Sequence, residues 1–170
     1  MNYALYSSKH KKFYFDDVFL NPFKEIIVAL TRMKEFGVLP EMECFDAGHV
    51  SNADPLIDLG LLKPPFHFSL VMGVTGGIAS TPKHLKFMSE ILPSGSHWQV
   101  IGISRDQWTL CDEALKLNGN IRIGLEDNFY LPDGTTMAKS NGDLVEEAVH
   151  MVKRHGKEPA TLAETLATLK

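Results

Sequence analysis

Short apolar runs alternate along this chain with stretches whose apolar positions recur at helical spacing. In residues 22–36, Phe23, Ile26, Ile27, Leu30 and Met33 share one helical face, with Asn21-Pro22 as a start and Gly37 as a stop. Thr81-Pro82 predicts a helix through residue 91, with threonine as cap and proline in the first turn. Residues 107–117 read as a helix closing at Asn118-Gly119. Ser140-Asn141 caps another to about residue 155, and a short helix follows Ala160-Thr161. Residues 52–61 predict one more short helix. Strands are expected at residues 2–6, 41–45, 66–74, 98–103 and 121–125. In the second of these, Glu41, Glu43 and Phe45 share a face.

Five strands in strict alternation with helices predict an α/β fold with a parallel sheet and right-handed crossovers. Two architectures fit: an open doubly wound sheet, or part of an eight-stranded barrel. A complete barrel takes about 250 residues, and this chain has 170. With 44% hydrophobic residues the chain is expected to form one domain, residues 1–170. No linker or repeat divides it.

Charge narrows the function classes. The net charge is -4, from 17 basic and 21 acidic residues, which argues against a nucleic-acid surface. The run Lys9-His10-Lys11-Lys12 reads as a solvated loop. Cys44 and Cys111 are far apart and lack a CxxC pattern, so a reduced protein of the cytoplasm is expected. No stretch approaches a membrane span.

The chemistry gathers where strands end. Asp46-Ala47-Gly48-His49, Gly73-Val74-Thr75-Gly76-Gly77, Ser104-Arg105-Asp106-Gln107 and Glu126-Asp127-Asn128 each follow an expected strand. Branched apolar residues run straight into the Glu126-Asp127 pair, with Arg122 four residues before the glutamate. Two adjacent carboxylates at a strand tip can divide labour, one holding a metal and the other moving a proton. The same residues also read as an acidic turn before a helix. Arg122 and Glu126 are expected on one strand face, as a salt bridge or as part of a site. Glu43 on an inward face is expected to be buried and to need a partner. Gly76-Gly77 lacks a dinucleotide or P-loop pattern and reads as a tight turn. His49 reads as a hydrogen-bonded structural residue or as a metal ligand.

Taken in order, several segments resemble the β-keto acid cleavage enzymes, the family that includes 3-keto-5-aminohexanoate cleavage enzyme. They are Val18-Phe19-Leu20-Asn21-Pro22, the segment 40–49, Gly73-Val74-Thr75-Gly76-Gly77-Ile78, Trp98-Gln99-Val100-Ile101-Gly102 with Arg105 and Gln107, the segment 122–128, and Ser140-Asn141. The resemblance implies a TIM-type (β/α)8 barrel, of which this chain matches about the last five β/α units. It implies a retro-Claisen type reaction of a β-keto acid with acetyl-CoA, giving acetoacetate and a new acyl-CoA. It implies a Zn2+ ion acting as Lewis acid, with Glu126 as a ligand and Asp127 as the proton-transfer residue. Arg122 matches the arginine that orients that carboxylate, and Glu43, or alternatively Glu41, a glutamate near the substrate. Arg105, Ser140 and Asn141 are the positions expected to meet the CoA thioester, and homo-oligomers are expected. The family's two histidine ligands form a His-x-His pair, which this sequence lacks. Residues 1–5 resemble an internal strand of a longer protein. The resemblance therefore implies a chain that is inactive until a further segment or chain completes it, or a non-catalytic acyl-CoA-binding or assembly module.

Overall fold

The computed structural model describes residues 1–169. Its centre is a four-stranded parallel sheet in the order β3 (Glu41–Cys44), β4 (Phe66–Met72), β5 (Ser96–Gly102), β6 (Asn120–Arg122). The order runs sequentially with no reversal. A doubly wound sheet carries such a reversal, and none stands among the four described strands of this sheet. Helices α2 (Ala47–Ser51) and α3 (Ala53–Asp58) connect β3 to β4, and α4 (Pro82–Glu90) connects β4 to β5. The connection from β5 to β6 is α5 (Gln107–Lys116), entered through a 3-10 turn at Ser104–Asp106. Before β3 lies α1 (Phe23–Glu35); after β6 come α6 (Asn141–Arg154) and α7 (Leu162–Thr168).

Period two explains how the sheet divides its faces. Cys44, Phe66, Phe68, Leu70, Met72 and Val100 pack into one cluster with Leu85, Met88, Leu110, Ala114 and Leu144 from the helices. Glu41, Glu43, Ser69, Gln99 and Arg122 alternate with them on the opposite face, where polar groups bond across the strands. Helix ends follow their local chemistry. The side chains of Thr81, Ser140 and Thr161 each accept a bond from a backbone N–H of the first turn, and Thr161 with Glu164 completes a capping box.

Four expectations need correction. Residues 2–6 do form a strand, β1 (Asn2–Ser7), but it pairs antiparallel with an unexpected β2 (Lys12–Val18) rather than within a parallel sheet. The basic run around Lys9 is the turn of this hairpin, with Lys11 at φ 48. Residues 12–18 lack a strand alternation, with Lys12, Asp16 and Asp17 flanking the unbroken run Phe13-Tyr14-Phe15, so the sequence pattern does not mark them as a strand. The expected strand at 121–125 is Asn120–Arg122 only, so Glu126 lies in a turn and not on a strand face. The short helix expected at 52–61 spans only Ala53–Asp58, and an unexpected helix, Ala47–Ser51, precedes it on the Asp46 cap. Glu43 is not buried: its side chain is 48% exposed.

Candidate active site

Arg122 is the last residue of β6, and its guanidinium meets three carboxylates. Nη1 donates to Glu43 Oε1 at 3.2 Å, across the sheet from β3. Nη2 donates to Glu126 Oε2 at 3.3 Å and stands 3.7 Å from Asp127 Oδ2. One cation thus faces three anions at the C-terminal end of the sheet. The two neighbours in the acidic pair differ sharply: the Glu126 side chain is 83% exposed and that of Asp127 only 6%. Burial pushes the Asp127 carboxyl above its ordinary range; Arg122 pulls it back, and Glu126 and Glu43 push it up further.

The turn that carries the pair is held from three sides. The Asp127 and Asn128 N–H groups both donate to the Gly124 carbonyl, at 3.0 and 3.1 Å. The Leu125 N–H donates to Asn141 Oδ1 at 2.8 Å, tying the turn to the start of α6. The Asp127 carbonyl accepts from the Ser104 N–H at 2.7 Å, tying it to the end of β5. Ser104 takes φ 63 to do so. Beyond the turn, buried Asn128 bonds both backbone groups of Tyr130, whose carbonyl also accepts from Trp108 Nε1 at 2.8 Å.

The remaining expected residues fall around this cluster. Arg105 lies over the Tyr130 ring, 4.3 Å from its centroid, and its Nε donates to the Gly134 carbonyl. Ser140 Oγ caps α6 and bonds Asp143, while Asn141 holds the turn. Glu41, the alternative to Glu43, is one layer lower and accepts from Ser69 Oγ and, at 3.1 Å, from Gln99 Nε2. Of the two strand glutamates, Glu43 is the one that meets Arg122. His49 Nδ1 accepts from the Phe45 N–H at 3.2 Å, a structural bond. The sequence does not mark Ser69, and it marks Gln99 only within the matching segment Trp98-Gln99-Val100-Ile101-Gly102. Their signal was present: each is a polar residue alternating with apolar ones inside a strand.

The chain's own residues do not fit a zinc ion by themselves. A catalytic zinc takes three protein ligands and one open position. Glu126 faces outward, and among the described residues no group of three or more His, Cys, Asp or Glu side chains is gathered for a metal.

Fold and site together define an α/β chain with a parallel sheet and an arginine-centred carboxylate cluster at the strand C-termini. The family model described as beta-keto acid cleavage enzyme matches residues 1–170. A 3-keto-5-aminohexanoate cleavage enzyme of Acetoanaerobium sticklandii is 40% identical over 149 residues, covering 88% of this chain and 54% of that protein. A 3,5-dioxohexanoate:acetyl-CoA acetone transferase of Paraburkholderia graminis is 32% identical, covering 92% of this chain and 51% of that protein. Among solved structures, the apo structure of ObcA aligns with a TM-score of 0.76 at 21% identity, over 88% of this chain and 40% of that one. That likeness shows a shared fold. The chain belongs to the beta-keto acid cleavage enzyme family. It spans about half the length of the curated relatives it matches. Among the described residues no helix is long and apolar enough to cross a membrane.

Proposed function

We propose that residues 1–170 are the C-terminal portion of a (β/α)8 barrel that cleaves a β-keto acid with acetyl-CoA, giving acetoacetate and a new acyl-CoA in the cytoplasm. The sequential strand order and the half-length match to relatives support the partial barrel. The observation that carries the function is the Arg122 cluster, with one covered carboxylate at its centre. Asp127 takes a proton from the carbon between the two carbonyl groups of the keto acid. That carbon attacks the acetyl carbonyl and CoA leaves as thiolate. The thiolate adds to the original keto carbon, the carbon–carbon bond breaks, and the proton returns to the acetoacetate carbanion. Arg122 keeps Asp127 ionised and aimed, and Glu43 fixes Arg122. Arg105 with the Ser140-Asn141 helix start supplies the CoA contacts. Glu126 would be the ligand this chain contributes to a zinc site completed by a further segment or chain, where the ion would polarise the keto group.

A second reading has its own support. The described residues do not assemble a metal site, which favours a chain that by itself is a non-catalytic acyl-CoA-binding or assembly module. Turnover separates the two. The chain is assayed for acetoacetate formation from acetyl-CoA and 3-keto-5-aminohexanoate, alone and mixed with the N-terminal part of the Acetoanaerobium relative. Turnover in the mixture, lost with Asp127→Asn, is the expected result. Turnover that survives Asp127→Asn removes Asp127 from its role. No turnover in any mixture, with CoA still bound, favours the second reading.

A further inference from the structure

We propose that Gln107 is a positioning residue for Asp127, its buried amide supplying the hydrogen bond that steadies the carboxylate in the reacting enzyme. This role rests on the proposed proton transfer to Asp127. Gln107 begins α5, and its side chain is fully covered, at 0% exposure. Neither amide atom has a hydrogen-bond partner among the described residues. Buried polar atoms are nearly always paired. An apolar side chain of the same size would fill the place without leaving two polar atoms bare. Asp127 is the matching case on the acceptor side. Its side chain is 6% exposed, and Arg122 approaches Oδ2 at 3.7 Å, beyond hydrogen-bond distance. Among the described residues no hydrogen bond reaches the carboxylate.

Backbone geometry brings the two residues close. Ser104 donates its N–H to the Asp127 carbonyl at 2.7 Å, and its own carbonyl accepts from the Gln107 N–H. One residue thus ties the acidic turn to the start of α5. Cys111 lies one helical turn beyond Gln107 on the same covered face. Burial first, and then the charge on Asp127, push the Cys111 thiol up to about 12. That face of α5 is therefore within electrostatic reach of the carboxylate. Asn128, Trp108 and Asn141, which also flank the turn, are already engaged. Asn128 bonds both backbone groups of Tyr130, Trp108 the Tyr130 carbonyl, and Asn141 the Leu125 N–H. Gln107 and Asp127 remain, an unpaired donor near an unpaired acceptor. Hydrogen bonds to a catalytic group are often long before substrate binds and tighten around it. With Arg122 on Oδ2 and Gln107 Nε2 on Oδ1, the carboxylate is fixed at both oxygens, and each keeps a lone pair for the incoming proton.

A double-mutant cycle and a kinetic split test this. In urea unfolding of the chain at pH 7, Gln107→Met should be more damaging in the wild-type background than in Asp127→Asn, by about threefold or more in the unfolding constant. In the mixture with the N-terminal part of the Acetoanaerobium relative, Gln107→Met should lower kcat about tenfold or more and leave KM for 3-keto-5-aminohexanoate within about twofold. A residue that only supports the fold would lower the yield of folded chain and leave kcat per folded site unchanged. Far-ultraviolet circular dichroism measures that yield, and Gln107→Leu serves if Gln107→Met does not fold. Additive effects in the cycle overturn the proposal, and so does an unchanged kcat. A wild-type mixture without turnover counts against the proposed reaction instead, and the cycle in the chain alone then decides for or against Gln107.

Discussion

Asp127 is held in two opposed ways, and the balance can be measured without any substrate. Covering its carboxyl disfavours charge, while Arg122 at 3.7 Å favours it. Burial is the larger effect, so the carboxyl titrates above its ordinary value. Glu43 and Glu126 act in the same direction as burial. Glu43→Gln removes a negative neighbour, and the Asp127 titration followed by carboxyl NMR should then move to lower pH. A titration that stays in place would separate Glu43 from Asp127 electrostatically. Stability carries the matching sign. A carboxyl raised on folding favours the folded state fully below its unfolded pKa, and that contribution is lost as pH rises through the folded value. At neutral pH the ionised Asp127 is therefore a cost. Asp127→Asn should unfold no earlier than the wild type in a thermal melt at pH 7, the usual bargain between a poised site and a stable fold. An earlier unfolding would mean that the contact with Arg122 outweighs burial.

At the scale of elements, the site depends on how closely β5 and α5 approach. A Cβ placed on Gly102 would lie 2.5 Å from the Gln107 Cα and 3.1 Å from Leu110 Cδ1. Backbone at that distance cannot rotate aside as a side chain would. Gly102→Ala should force α5 away from the strand and cost about 1–3 kcal/mol, an overpacking penalty readable in urea unfolding. Loss under 0.5 kcal/mol would show that the approach is looser than it stands. The same elements show what the sequence makes legible. Helices with a cap and an apolar stripe, such as Pro82–Glu90 and Asn141–Arg154, were readable to within a residue or so. Buried parallel strands were readable as apolar runs. β1 was readable, but β2 and its antiparallel pairing were not, because the fit of β2 to a strand rests on partners five to sixteen residues away and not on local alternation. The end of β6 was also misplaced. Ile121, Ile123 and Leu125 alternate as a strand would, but Asn141, sixteen residues on from Leu125, takes the Leu125 N–H that a longer strand would have used.

For the whole molecule, the residues named from sequence do converge: Arg122, Glu43, Glu126 and Asp127 come from two strands 79 residues apart in the chain and from one turn. Residue type and strand-end position made them legible; the partner that each would take was not. Arg122 meets Glu43, while Glu41, two residues earlier on β3, accepts from Ser69 and Gln99. The sheet ends at β3 on one side and β6 on the other, each with one neighbour among the described strands. Both strands that carry the cluster are therefore edges, and a segment that paired with them would sit beside Arg122. On the proposed reading Glu126 is the one zinc ligand this chain supplies, so the purified chain dialysed against a weak chelator should retain well under one zinc per chain by elemental analysis. Adding the N-terminal part of the Acetoanaerobium relative should raise that to about one, and Glu126→Gln should lower it again while leaving the two parts associated. One zinc held by the unassisted chain would instead mean that copies of it supply the missing ligands to each other, and the site would then be complete without any further segment.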